Sequence, residues 1–403
     1  MQLGSTVRRS RSARAAVGGA LVALAALAGC GPVATGGSSS DGVRLPRVSR
    51  AVIAITPADG AAEVPPTGAV RVTATHGRLT SVRLADDSGH TVPGRLTPGG
   101  AVWEPDGRLA LSTRYTLDAV ARDPEGLEAA RHAAFSTLVP KHTFVAFFTP
   151  EDGSTVGVGM PVSLRFTRSI TDRAAVERAV RVSSDPPVPV RLHWFGDRRL
   201  DFRPKFFWSP GTRVVLSLGL RDQEGAPGVY GVQDKEVRFT VGRSQVSTVD
   251  VGSRTMAVRR GGHLLRTIPI SAGSPQHPTY NGYLVISEKY AVTRMNSHTV
   301  GLGSEYDIPD VPHAMRLTGS GTFVHGNYWA DPSVFGTRNT SHGCVGLPDV
   351  KGGGARTPAG WFFSRSLLGD VVRVVGSGDR TVAPDNGLGD WNLPWARWSP
   401  QGN

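Results

Sequence analysis

Two short stretches carry residue types that can make and break a covalent bond. Thr340-Ser341-His342-Gly343-Cys344-Val345-Gly346 sets a thiol in a glycine-containing turn. Gly321-Thr322-Phe323-Val324-His325-Gly326 sets an imidazole 19 residues ahead of that thiol. A thiol becomes a nucleophile when a neighbouring base takes its proton, and attack on a carbonyl then gives a covalent acyl intermediate. His325 and His342 both fit the base. Glycine beside the thiol permits a tight backbone and close approach of a substrate.

The chain has two cysteines. Cys30 ends an N-terminal apolar run, and if it is lipidated, Cys344 is left as the free thiol. A lone thiol in an oxidising compartment is a liability unless it does chemistry. A zinc site on His325, His342 and Cys344 is the first rival, but a single glycine separates two of those ligands and no further ligand cluster supports it. A Cys30–Cys344 disulfide is the second, and the lipid signal argues against it. His76, His90, His132 and His142 are scattered without paired spacing. No metal and no cofactor is expected.

The elements that must position these residues are mostly strands. Apolar residues are 39% and charged residues 19% of the 403, enough to build cores and too little charge for a disordered chain. Fifty glycines and 29 prolines favour short strands and turns over long helices. The net charge of +12 is spread thinly, so a nucleic-acid partner is not expected.

Residues 1–29 hold Arg8, Arg9, Arg11 and Arg14, then the apolar run Ala15 to Ala28. That is a secretory signal, too short to span a bilayer. Residues 30–48 are Gly/Ser-rich and read as a flexible tether. Residues 49–139 and 140–243 read as two copies of one module. Thr56-Pro57-Ala58-Asp59-Gly60 is echoed by Thr149-Pro150-Glu151-Asp152-Gly153, and Arg122-Asp123-Pro124-Glu125-Gly126 by Arg221-Asp222-Gln223-Glu224-Gly225. Their length and turn-rich alternation fit immunoglobulin-like β-sandwiches.

Residues 247–377 differ. A hairpin is expected over Met256–Val258 and Leu264–Ile270, strands over Gly282–Ile286, Thr322–Val324 and Val371–Val375, and a short helix over Trp361–Leu368. Residues 378–403, with Trp391, Trp395 and Trp398, read as a small C-terminal subdomain. The expected fold class is mainly β: two sandwiches, then a β-rich catalytic domain.

The His-Gly and Ser-His-Gly-Cys pair resembles the signature of the YkuD-type L,D-transpeptidases. Ser271-Ala272-Gly273, Thr279-Tyr280-Asn281-Gly282 and Met295-Asn296-Ser297 resemble further family segments. Gly387-Leu388-Gly389-Asp390-Trp391-Asn392-Leu393-Pro394-Trp395 resembles the ending of its multidomain lipoprotein type, which also carries two immunoglobulin-like domains. The Leu27-Ala28-Gly29-Cys30 ending resembles a bacterial lipobox.

This resemblance implies a cysteine acyltransferase that forms 3→3 peptidoglycan cross-links, with a stem tetrapeptide as donor, a diaminopimelate amine as acceptor and D-Ala released. It implies Cys344 as nucleophile, His325 as base and the Gly326 carbonyl as the group that orients His325. It implies backbone N–H groups of His342, Gly343 and Cys344 as oxyanion donors, with Ser341 beside them, and Tyr306 assisting or gating. Trp329 lines the pocket or is a buried aromatic. Carbapenems are expected inhibitors. The lipid on Cys30 would hold the chain at the outer face of the cytoplasmic membrane, facing the wall. Gly346 departs from the family's usual Asn or Arg, which bears on substrate preference. An L,D-carboxypeptidase, with water as acceptor, and an inactive lipid-anchored wall-binding protein are the alternatives.

Overall fold

The computed structural model describes residues 47–301 and 303–401. The expected signal segment, the tether up to residue 46 and its Cys30 lie outside the described residues. Strand alternation is realised from Val52 onward, with one side chain inward for each one outward. In the first module, Val52–Thr56, Arg71–Thr75, Val102–Pro105 and Gly94–Leu96 form one sheet. A second sheet joins Ala61–Val64, Glu128–Thr137, Arg114–Arg122, Arg78–Asp86 and Thr91–Val92. Val72, Leu84, Leu117 and Phe135 from both sheets share one core.

The second module has two larger sheets, with Leu164, Leu200, Phe202, Leu216 and Phe239 in its core, and a small third sheet of His142–Phe144, Val229–Gly231 and Glu224–Ala226. One of its sheets gains a fifth strand, Ser399–Pro400, from the far end of the chain.

The remaining elements are β1 (Gln245–Asp250), β2 (Thr255–Arg260), β3 (His263–Pro269), β4 (Gly282–Val285), β5 (Glu288–Asn296), β6 (Asp307–Arg316), β7 (Phe323–Asn327), β8 (Val345–Pro348), α1 (Pro358–Arg365) and β9 (Val371–Val375). They build two sheets, β3-β2-β1-β9-β4 and β5-β6-β7-β8. β9 is a nearly continuous apolar run because it is a central strand, parallel to β1 and antiparallel to β4. The expected hairpin is β2–β3, with Thr255 opposite Pro269.

The helix begins three residues earlier than expected and ends at Arg365. Thr357 caps it by accepting from the Gly360 N–H, and Pro358 occupies the first turn. It stops where Ser366 turns extended.

β7 and β8 run parallel, with His325 opposite Gly346. Parallel neighbours cannot be joined by a tight turn. The chain must therefore cross over through residues 328–344, and it delivers Cys344 immediately before the strand that flanks His325.

The second sandwich and the catalytic region share buried contacts. Val285 of β4 belongs to the sandwich core. Arg243 forks onto the buried carboxylate of Asp370, at 2.7 and 2.8 Å. Residues 378–403 read from the sequence as a subdomain; the described part, residues 378–401, packs on the second sandwich and also bonds to Tyr283 and Ser320 of the following region. Trp391 donates to the Gly159 carbonyl at 2.7 Å, and Arg203 lies 4.6 to 5.3 Å from the ring centres of Trp391, Trp395 and Trp398.

Candidate active site

The loop that carries the thiol is held from behind by residues 271–281. Ser271 and Gly346 exchange backbone hydrogen bonds at 3.1 and 2.8 Å, Ser341 N–H donates to Ala272 at 3.1 Å, and Ser274 N–H donates to Ser341 at 2.8 Å. Thr279, fully buried, accepts from Gly273 N–H. The turn itself is closed by Ser341, whose hydroxyl donates to the Cys344 carbonyl at 2.6 Å and accepts from Gly343 N–H at 3.2 Å. Gly343 sits at φ +105°, a conformation open to glycine and costly for any L side chain.

A cavity of about 260 Å³ opens beside this loop, lined by Cys344, His325, Tyr306, Trp329, Ser341 and His342 among others. Cys344 is half-buried against the apolar cluster of Val311, Ala314 and Phe323. That apolar wall disfavours the thiolate and pushes the thiol up to about 11. The Phe323 N–H, 3.4 Å from Sγ, and the charge of Arg316 oppose the shift without cancelling it.

His325, 4% exposed, is held below the usual imidazole range by its burial, against the opposing pull of the Gly326 carbonyl and Asp349. Its Nδ1 lies 2.9 Å from the Gly326 carbonyl. A carbonyl only accepts, so Nδ1 carries the proton and Nε2 keeps a lone pair. The site at neutral pH therefore holds a neutral thiol and a neutral base. Among the described residues no hydrogen bond joins Sγ to His325, and the thiol instead faces the Gly321 carbonyl at 3.6 Å.

His342 takes a different position. Its Nε2 lies 3.0 Å from Glu305, and its ring leans on Tyr306 and His277 at the cavity mouth. Of the two candidate bases, His325 has its Nδ1 on a backbone carbonyl, whereas the Nε2 of His342 faces the Glu305 carboxylate. Trp329 is 42% exposed and stacks on His325 at 5.5 Å and 8°, so it lines the pocket rather than filling a core. Tyr306, with its hydroxyl pushed up to about 12 by burial and by the neighbouring Cys344, sits on the opposite wall. Of the three implied oxyanion donors, Gly343 N–H is engaged by Ser341, while those of His342 and Cys344 make no turn or loop bond.

Three further residues complete the site. Asn327, two positions beyond His325 on the same strand, lines the same cavity. Period-two alternation from His325 could have found it. Asp349 accepts from His313, Val350, Gly354 and Thr357 behind the His325-Gly326 strand. Ser297, fully buried, holds Tyr306 in place through its backbone, accepting from Tyr306 N–H at 3.1 Å and donating to its carbonyl at 2.9 Å. No local pattern marks the last two, whose partners lie in other segments.

A family described as the L,D-transpeptidase catalytic domain matches residues 244–374, and the bacterial Ig domain matches residues 61–224. L,D-transpeptidase 2 of Mycobacterium tuberculosis is 35% identical over 345 residues, which cover 84% of this chain and 82% of that one. L,D-transpeptidase 5 of the same species is 30% identical over 349 residues, covering 85% and 75%. Among solved structures, an LD-transpeptidase in complex with imipenem is 32% identical, covers 59% of this chain and all of its own, and has a TM-score of 0.48. The chain belongs to the L,D-transpeptidases with a YkuD catalytic domain, preceded here by an immunoglobulin-like region.

Proposed function

We propose that Cys344 attacks the carbonyl of the third residue of a peptidoglycan tetrapeptide stem. The bond to the terminal D-Ala breaks, the thiol proton passes through His325 Nε2 to the departing amine, and a thioester to Sγ remains. The side-chain amine of a diaminopimelate on a second stem then attacks the thioester. The thiol regains a proton and the two stems are joined by a 3→3 link.

The observation that carries this reading is the shared cleft. A thiol with a raised pKa and a base of defined tautomer line one cavity with apolar walls. With both groups neutral, proton transfer must accompany attack rather than precede it. The oxyanion then falls to the N–H groups of His342 and Cys344, and donors of this kind contribute about 2.7–4 kcal/mol each. A carbapenem offers the same thiol a strained lactam carbonyl. Ring opening forms the thioester with no leaving group to depart, so the enzyme stays acylated.

The Leu27-Ala28-Gly29-Cys30 sequence supports lipidation at Cys30 and anchoring at the outer face of the cytoplasmic membrane. Two acyl chains or more would hold such an anchor. Loss of membrane retention in Cys30→Ser tests this.

For the chemistry, the chain from residue 31 and its Cys344→Ala variant are incubated with purified disaccharide-tetrapeptide, and the products are read by tandem mass spectrometry. A Cys344-dependent 3→3 dimer that has lost one D-Ala is the expected product. Tripeptide without dimer would make it a carboxypeptidase, and no Cys344-dependent product would overturn the assignment.

A further inference from the structure

The mouth of the cavity carries a side-chain cluster that the acyl-transfer chemistry does not use. His277, Glu305 and His342 bring two imidazole nitrogens and a carboxylate oxygen within 4.8 Å of one another. Glu305 Oε2 lies 3.3 Å from His277 Nε2 and 3.0 Å from His342 Nε2. We propose that these three residues bind a divalent transition metal of the zinc class, which ties the segment bearing Tyr306 to the Ser-His-Gly-Cys loop.

The donor set and its spacing carry the argument. Two histidines and one carboxylate form a three-ligand zinc set, with water in the fourth place. Metal–ligand distances of about 2.0–2.1 Å place tetrahedral ligands about 3.3–3.4 Å apart. The two carboxylate–nitrogen separations, 3.0 and 3.3 Å, lie close to that edge, and the two nitrogens lie within 4.8 Å of each other. The three residues come from segments that are separately fixed. His277 N–H donates to Ser274, whose own N–H donates to Ser341 on the thiol loop. Ser297 holds the backbone next to Glu305 through Tyr306. The side chains are 31%, 40% and 36% exposed, so an ion can enter and keep a water ligand. A ring bound to the ion through Nε2 carries a proton on Nδ1.

The ion would have a consequence for the cleft. His342 and Tyr306 both line the cavity that holds Cys344, and Tyr306 follows Glu305 directly. A metal bond across the mouth holds these walls together and slows entry of a bulky acyl donor. This gating rests on the function proposed above; the binding itself does not.

The test measures zinc binding to the full chain by isothermal titration, alongside Co²⁺ absorption spectra. The variants are His277→Gln, Glu305→Gln and Cys344→Ser, each checked for an unchanged melting temperature. The expected result is one ion per chain in the wild type and in Cys344→Ser. Affinity should fall by more than about tenfold in His277→Gln and Glu305→Gln. The Co²⁺ form should show visible d–d bands without a thiolate charge-transfer band. Binding that survives both substitutions, binding lost in Cys344→Ser, or no binding would each overturn the site. Should His277→Gln not fold, Glu305→Gln and the wild-type cobalt spectrum still decide. Zinc should also slow carbapenem acylation of the wild type and leave His277→Gln unaffected. Equal rates with and without bound zinc would remove the gating and keep the site.

Discussion

Asp349 fills the space that any side chain at position 326 would need. A Cβ built on Gly326 would collide with Asp349 Oδ2. The carboxylate can therefore sit directly behind the strand that presents His325, and its charge favours the imidazolium. The base works only when neutral, so protonation of His325 defines the acid limb of activity. Removing the charge in Asp349→Asn lowers the His325 pKa, and the acid limb of the acylation profile should move to lower pH. A limb that stays in place or moves upward would refute the electrostatic link.

The thiol gives a second pH-dependent expectation. With its pKa raised to about 11, Cys344 is protonated through the neutral range. Its thiolate fraction, and with it the rate of alkylation by iodoacetamide, should climb about tenfold per unit between about pH 6 and pH 9. Mass spectrometry of the Cys344 peptide reads the rate. A plateau beginning below neutral pH would indicate a preformed thiolate–imidazolium pair instead.

The catalytic types were legible because each is carried by a contiguous motif. Cys344 and His325 need no partner residue to be noticed, and β9 announces itself as a run of valines. The rest depends on relationships between distant segments. Asp349 behind Gly326, Ser297 beneath Tyr306 and the His277-Glu305-His342 cluster join residues with no periodic relation. The helix start is a different case, since Thr357-Pro358 is a cap signal that outweighs the later apolar residues. The helix Arg173–Ala179 interrupts a strand-rich module on the strength of Asp172, which caps Ala175 N–H.

Gly343 tests how far the turn geometry matters. Nothing lies closer than 3.7 Å to a Cβ added there, so space is not the obstacle. The φ of +105° is. Gly343→Ala should cost about 1–3 kcal/mol of backbone strain. Because relief of that strain rotates the neighbouring N–H groups away from the oxyanion, carbapenem acylation should fall by about 10²–10³-fold while the fold persists. Wild-type acylation in a folded Gly343→Ala would separate this turn from oxyanion binding.

Gly346 and Asn327 form a pair. A Cβ at position 346 would stand 3.2 Å from Asn327 Nδ2, so the carboxamide of Asn327 already occupies the volume that a side chain at 346 would claim. Gly346→Asn alone should impair donor turnover by crowding Asn327, and Asn327→Gly alone by removing a polar group from the cavity wall. The double variant moves the amide from one strand to its neighbour and should recover part of the loss. Coupling of about 0.5–3 kcal/mol between adjacent sites is the range in which this recovery should fall. Additive losses in kcat/KM would show that the two positions act independently.

The chain's last strand is predicted to hold the second sandwich to the tail. Trp398 is 2% exposed and sits between the Arg203 guanidinium, at 4.6 Å, and the His193 and Phe195 rings. Next to it, Ser399–Pro400 completes the sheet beside Val190–Phe195. The same tail supplies Asp390, buried beside Arg199 and Asp201, whose carboxyl is pushed well above its ordinary range by burial and the neighbouring carboxylate. Trp398→Ala removes a buried ring packed against Arg203, His193 and Phe195 and should cost about 3–5 kcal/mol. The melting temperature of the sandwich should drop, and proteolysis should begin within residues 378–403. The catalytic cleft is built from other strands, so carbapenem acylation of the folded fraction should be preserved. If Trp398→Ala abolished acylation without lowering the melting temperature, the tail would have to act on the cleft itself rather than as a strap across the sandwich.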